Sequence, residues 1–239
     1  MPSSRKRYLV TGASRGLGLE FTRQLLARGH RVVATCRDPS RADALAALAS
    51  AHSGALDLQP FELTDAGSRA SLLAAVTQFD EALDGLINNA GVLPPGDRSA
   101  TFGRIDAGEV RDTFEANAIA PLLLTQALAP LLAKGREPVV AFLSSKLGSI
   151  ASTSGFYTPA YAMAKAALNM GARQAAVALG ELGIRSVLLH PGWVRTDMGG
   201  SQAPLEASES VRRMLAVIDA LPANARAPFF DFRGETLPW

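Results

Sequence analysis

Cysteine is nearly missing from this chain: Cys36 stands alone among 239 residues. A single thiol excludes an internal disulfide framework and fits a reducing, cytoplasmic compartment. Histidine is scarce as well. His30, His52 and His190 lie far apart, and with one cysteine they offer no metal-ligand spacing, so no metal is expected. An excess of charge is also lacking: the formal net charge is +2, too balanced to point to a nucleic-acid partner. The short basic cluster Arg5-Lys6-Arg7 reads as a solvated lead into a strand. Met1 to Arg7 has no apolar stretch of the kind a signal peptide needs. Charge is absent from residues 116–133, a run long enough to raise a transmembrane helix. Asn117, Thr125, Gln126 and the prolines at 121 and 130 interrupt it, and strand and helix patterns flank it. A buried helix that also packs on another subunit is expected there, and no membrane.

What is present suits a folded α/β protein. Hydrophobic residues make up 48% and charged residues 19% of the sequence, which is the balance of a globular chain. Strand-like runs fall at 7–10, 31–35, 56–61, 85–87, 138–143, 184–189 and 228–232. Helical patterns fall near 17–28, 41–51, 66–79, 106–133, 160–182 and 208–221. Such alternation predicts about seven parallel strands flanked by helices on both faces, in one doubly wound domain over 1–239. The small, polar stretch 199–205 follows a strand end, where either a mobile lid or a plain surface loop is expected.

Three groups of residues carry chemistry. Tyr161 and Lys165 stand four apart at the start of an Ala-rich helix, so they share one helix face. A phenol titrates near pH ~10, and a neighbouring ammonium lowers that value by favouring the phenolate. Ser145, upstream, can hold a substrate oxygen against the tyrosine hydroxyl. Near the start, Tyr8-Leu9-Val10 meets Thr11-Gly12-Ala13-Ser14-Arg15-Gly16-Leu17-Gly18, and a helical pattern follows. Glycines there permit a tight turn, and the helix behind them offers free N–H groups to a pyrophosphate. The spacing is G-x-x-x-G-x-G rather than the commoner G-x-G-x-x-G.

In this order, Thr11-Gly12 through Gly18, Asn88-Asn89-Ala90-Gly91, Asn117, Ser145, Tyr161 with Lys165 and Pro191-Gly192 resemble the classical short-chain dehydrogenase/reductase family over nearly the whole chain. The segments Ala34–Pro39 and Gly234–Trp239 look most like the branch of C-factor-type proteins and sniffer-type carbonyl reductases. The resemblance implies a Rossmann fold and an NADP(H)-dependent oxidoreductase that interconverts a carbonyl and an alcohol on a small hydrophobic substrate. It also implies a homodimer or homotetramer, paired through the 116–133 and 160–180 helices.

Residue by residue, the resemblance makes Tyr161 the acid, Ser145 the orienting group and Lys165 the residue that bonds the nicotinamide ribose and lowers the tyrosine pKa. Asn117 holds a water that links Lys165 to solvent. The cofactor is expected on Gly12, Ser14, Arg15, Gly16, Leu17 and Gly18, with Glu62 and Leu63 beside the adenine and Asn89, Ala90 and Gly91 behind the adenosine. Pro191, Gly192, Val194 and Thr196 are expected along the nicotinamide. The acidic position that selects NAD falls on the neutral Cys36, and Arg37 follows it. A guanidinium there suits the 2′-phosphate of NADP. Leu147, Phe156, Trp193 and Met198 sit in loops near this centre and favour an apolar substrate. Ser145 and Tyr161 stand 16 positions apart, which suggests an altered loop over the substrate.

Two other readings remain. Gly12-Ala13-Ser14-Arg15-Gly16 also fits the G-x-S-x-G nucleophile elbow, which would make Ser14, with His190 as a candidate partner, part of a serine hydrolase. Only one strand precedes Ser14, however, and Tyr161, Lys165 and Gly18 would have no role. A non-catalytic dinucleotide sensor or signalling protein on the same scaffold is the other. Such a protein has no need of the proton-transfer set.

Overall fold

The computed structural model describes residues 5–78, 82–98 and 100–239. Seven strands form one parallel sheet in the order β3-β2-β1-β4-β5-β6-β7. They are β1 Arg7–Val10, β2 Arg31–Cys36, β3 Leu56–Pro60, β4 Gly85–Asn88, β5 Val139–Leu143, β6 Arg185–His190 and β7 Arg226–Asp231. The strand order reverses between β1 and β4, which pair through Tyr8 with Gly85, Leu9 with Leu86 and Val10 with Ile87. A crevice opens beyond the carboxyl ends of the strands at such a reversal.

The central strands read as unbroken apolar runs because both of their faces are covered. Their period of two sorts the core into two layers. Leu9, Leu86, Val140, Phe142 and Leu188 point to one side, where they meet Leu72, Leu124, Leu128, Leu168 and Ala172. Tyr8, Val10, Ile87, Ala141, Val187 and Leu189 point to the other, against Phe21, Leu25, Leu45, Val211, Met214 and Leu215. The helices that supply these residues are α1 Gly16–Ala27, α2 Asp43–Ala51 and α8 Ala207–Asp219 on one face, and α3 Ala66–Thr77, α6 Ala120–Leu132 and α7 Pro159–Glu181 on the other. Ala164, Leu168, Ala172, Ala176 and Leu179 form the buried stripe of α7. Its alanines let the helix lie close to the sheet. The fold class expected from the alternation is the one observed.

The run 106–133, expected as one helix, is three pieces. Helix α5 covers Ala107–Phe114, a π-helical turn covers Glu115–Ile119, and α6 follows. Pro121 gives a physical reason: a proline ring collides with the carbonyl four residues earlier, here that of Asn117. Opening the turn to π spacing relieves the collision, and π turns recur at functional sites. By length and composition Ala107–Leu132 is apolar enough to cross a membrane, with mean hydropathy 1.2, but 56% of that window is buried inside the protein. A four-residue helix, α4 (Pro95–Arg98), was not expected from the sequence. Strand β7 begins at Arg226, two residues before its predicted start, where a register shift between Ser186 and Leu188 lets Ala227 N donate to Ser186 Oγ.

Candidate active site

The glycine turn between β1 and α1 is shaped by left-handed backbone and by one very close approach of backbone to backbone. Gly12 and Gly16 have φ of 65° and 56°, in the left-handed region. A Cβ on Gly18 would lie 2.2 Å from Gly12 O, so backbone passes directly over backbone. Asn89 holds the turn from the neighbouring strand: its Nδ2 donates to Thr11 O at 2.8 Å and Gly12 O at 3.2 Å. Thr11 Oγ1 accepts from the amides of Asn89 and Ala90, both at 3.0 Å. Arg15, the residue before α1, has extended backbone and gives no side-chain cap. The first N–H groups of α1 therefore have no side-chain cap, and Gly16 and Leu17 line the crevice, where an anion would satisfy them.

The crevice is a cleft of about 480 Å³. Gly12, Ser14, Arg15, Gly16 and Leu17 line one end with Cys36, Arg37, Glu62 and Leu63. Asn89, Ala90, Gly91, Asn117, Tyr161, Lys165, Pro191 and Thr196 line the rest. Gly18, Ser145, Gly192 and Val194 are close to lining residues in the chain but do not themselves line the cleft. Gly192, with φ of 85°, packs on Leu205 and Phe232, and Val194 is buried in a bridge to Leu205. Arg37 is exposed and has no ion pair among the described residues. Asp38 turns away from it: Oδ1 accepts from Ser40 N at 3.0 Å and Ser40 Oγ at 2.6 Å. The Ser40 hydroxyl holds the Asp38 carboxyl below its usual range, while burial pushes the Cys36 thiol up and keeps it neutral. Arg15 reaches across the mouth to Asp197, with Nη1 and Oδ2 2.7 Å apart.

Tyr161 and Lys165 lie one turn apart on α7, with Lys165 Nζ 5.5 Å from the centre of the tyrosine ring. Lys165 is buried and donates to Leu143 O at 2.7 Å, so the end of β5 fixes its position. Burial lowers its pKa to about 8. The Tyr161 hydroxyl is hydrogen-bonded to the Ser145 side chain, but burial dominates and its pKa is pushed up to about 12. The expected lowering by Lys165 is thus reversed, because removing a phenolate from water costs more than the hydrogen bond returns. Ser145 also accepts from Leu147 N at 3.1 Å and so caps a short 3₁₀ turn, Lys146–Gly148. Ser144, its neighbour, donates to Asn169 Oδ1 at 2.6 Å and is committed to the scaffold.

Asn117 sits in the π turn with both ends of its amide bonded to Val92. Oδ1 accepts from Val92 N at 2.9 Å, and Nδ2 donates to Val92 O at 2.8 Å. A Cβ on Gly91 would come within 2.5 Å of that Oδ1, which explains the glycine. The loop after Ser145 is tied down by Trp239, whose carbonyl accepts from Ala151 N at 2.7 Å. The stretch 199–205 is bonded to the loop before it. Val194 bridges Leu205, Arg195 N donates to Leu205 O at 2.8 Å, and Trp193 Nε1 donates to Gly199 O at 2.8 Å.

Asp97 escaped the sequence reading. Its two carboxylate oxygens accept from the backbone N–H groups of Ala160 and Tyr161, each at 2.9 Å. Pro94-Pro95-Gly96-Asp97 reads as a turn, and nothing local ties it to a helix start 63 and 64 positions away. His190 is not poised for hydrolase chemistry: burial lowers its pKa to about 4, and its Nδ1 has no partner among the described residues. Among the described residues no group of histidine, cysteine, aspartate or glutamate is arranged to hold a metal.

A family model described as short chain dehydrogenase matches residues 6–207. C-signal from Myxococcus xanthus is 45% identical over 157 residues, spanning 66% of this chain and 93% of that protein. The crystal structure of NADPH-bound carbonyl reductase from chicken fatty liver superposes with a TM-score of 0.91 at 37% identity, covering 98% of this chain and 99% of the other. The carbonyl reductase Sniffer of D. melanogaster gives a TM-score of 0.91 at 33% identity, covering 98% and 100%. Sequence, sheet order and cleft agree, and the chain belongs to the short-chain dehydrogenase/reductase family.

Proposed function

We propose that this protein is a single-domain, NADP(H)-dependent carbonyl reductase acting on a small hydrophobic substrate. One observation carries the reading: the Tyr161 hydroxyl meets Ser145 beside a buried Lys165, in the same cleft as a glycine cradle that has no room for a Cβ at Gly18. The cradle fits a dinucleotide. Gly12, Gly16 and Gly18 leave backbone room for its pyrophosphate, and the uncapped start of α1 supplies N–H donors. Ser14, Arg15, Leu17 and Arg37 border the same end, with Arg37 available to a 2′-phosphate. Glu62 and Leu63 flank the adenine side, while Asn89, Ala90, Gly91, Pro191 and Thr196 form the wall along the ribose and nicotinamide. Gly192 and Val194 belong to the same 191–196 segment and are anchored on Leu205.

When bound, the cofactor supplies a hydride. The chain's own part is to place the carbonyl and manage one proton. Ser145 orients the substrate oxygen, and Tyr161 donates its hydroxyl proton to it. A phenol held to about pH 12 stays protonated through neutral pH, as a general acid for reduction must. Lys165, with a pKa near 8, is charged at neutral pH and can resupply the proton. Asn117 keeps the wall of the relay in register through Val92. Phe61, Leu63, Val92, Leu143 and Met198 make much of the cleft apolar, and Phe156 and Trp193 are exposed on loops nearby. These features favour a hydrophobic carbonyl compound.

Met163, Met170 and Val177 are exposed seven residues apart along α7, a stripe that suits pairing of two chains into a homodimer or homotetramer. Incubating the purified protein with NADPH and a panel of aldehydes, ketones and quinones tests the assignment. Steady loss of NADPH absorbance with at least one carbonyl is expected, and none with any would refute it. The similarity to C-signal motivates a second reading, a non-catalytic nucleotide-binding signalling protein. That protein would bind NADPH and leave it unconsumed.

A further inference from the structure

We infer that Asp97 is a positioning residue for Tyr161, holding the start of α7 at the distance that proton transfer requires. The inference rests on the catalytic reading of Tyr161. Helix α7 cannot cap itself. Thr158, the residue before it, has left-handed backbone with φ of 44° and ψ of 53°, and its side chain makes no capping bond. The Thr158 hydroxyl is buried with no partner among the described residues. Pro159 has no N–H to satisfy. The next two N–H groups, of Ala160 and Tyr161, would ordinarily bond a local cap. Here a carboxylate from another loop takes both, one oxygen to each at 2.9 Å.

Asp97 is itself deeply buried, at 2% exposure. A charge so placed is tolerated because both bonds are charge-assisted and the helix N-terminus carries positive dipole. Its loop is braced by Asp97 N donating to Pro94 O at 3.2 Å and Ala100 N donating to Asp97 O at 3.3 Å. The same loop begins at Gly91 and Val92, and Val92 clasps the Asn117 amide through both of its backbone groups. One segment, 91–97, therefore grips the relay at two points, Asn117 at one end and the backbone of Tyr161 at the other. A local cap would stabilise α7 equally well, but it would not fix the helix relative to Asn117 and the cleft. Displacing a reacting group by about 1 Å can cost on the order of a hundredfold in rate.

Asp97→Asn and Asp97→Ala test this, with Asp65→Ala as the comparator. Asp65 is the side-chain cap of α3, far from Tyr161 along the chain. In the Asp97 variants the amides of residues 160 and 161 should exchange hydrogen faster, and kcat for carbonyl reduction should fall about tenfold or more. The Kd for NADPH, measured by fluorescence titration, and the substrate KM should stay near wild type. Asp65→Ala should lower thermal stability and leave kcat alone. Asp97→Asn preserves shape and one acceptor, so it decides the matter if Asp97→Ala does not fold. Unchanged kcat in a folded variant would overturn the inference, as would equal losses of kcat and NADPH affinity, or unchanged exchange at 160 and 161. If the wild type turns over no carbonyl, the catalytic reading fails, while the exchange measurement still reports whether Asp97 holds the helix.

Discussion

Replacing Arg37 with alanine should remove most of the expected preference for NADPH over NADH. The 2′-phosphate is the only group by which they differ, and it carries close to two negative charges. At the cleft end that would receive it, Cys36 is buried and neutral, Asp38 is occupied by Ser40, and Arg37 stands exposed with no ion pair among the described residues. A hydrogen bond to a charged group contributes about 1.5–3 kcal/mol, which is roughly 10- to 150-fold in affinity. Because Arg37 is exposed, screening pulls its contribution toward the low end of that range. We therefore expect Arg37→Ala to weaken NADPH binding about tenfold and to leave NADH nearly unchanged. Arg15→Ala should do less, since Arg15 must first leave Asp197, 2.7 Å away. Adding Cys36→Asp should extend the effect, because the new carboxylate accepts ribose hydroxyls and repels the phosphate. Fluorescence titrations with both cofactors at two salt concentrations measure the change, and the wild-type advantage for NADPH should shrink at high salt. A wild-type preference for NADH, or equal weakening of both cofactors in Arg37→Ala, would refute the assignment.

Tyr161→Phe keeps the ring but removes the acid, so reduction should fall by about 10²–10⁴ while NADPH still binds; turnover near the wild-type level would end the tyrosine mechanism. The pH profile of reduction should decline as pH rises through about 8, where Lys165 loses the proton it passes on, and Tyr161 should remain protonated across that range; a decline that instead tracks pH 10 would contradict it. Stability carries the same signature. Between about 8 and 10.5 the unfolded chain holds the lysine proton more tightly, so this residue makes the fold more stable as pH rises. Between 10.0 and about 12 the folded state holds the tyrosine proton, and stability falls; urea titrations over this range check both slopes. Sedimentation at micromolar concentration should give a species larger than the 25.1 kDa chain, and substituting Met170 and Val177 together with glutamate should split it.

The sequence by itself determined the sheet and which side chains were candidates for the chemistry. Continuous apolar strands such as Val139–Leu143, alternating with helical runs, leave few packings other than a parallel sheet covered on both faces. The four-residue step from Tyr161 to Lys165 places them together on any helix, and the step from Gly12 to Gly18 already implies close backbone contact. What the chain's order could not convey was the balance of environments. A lysine one turn from a tyrosine suggests a lowered phenol pKa, yet burial raises it to about 12, and burial exists only once β5, α7 and the loops around them have packed. Asp38 was legible as a charge beside Arg37, but its turn toward Ser40 is a matter of side-chain geometry. The break in the helix at Asn117 has its cause in Pro121, although the sequence pattern of apolar residues runs straight through it. Asp97 was hidden most completely. Its partners lie 63 and 64 residues further on, and only the folding of the 91–97 loop against the start of α7 brings a carboxylate to the two N–H groups that the helix could not satisfy for itself.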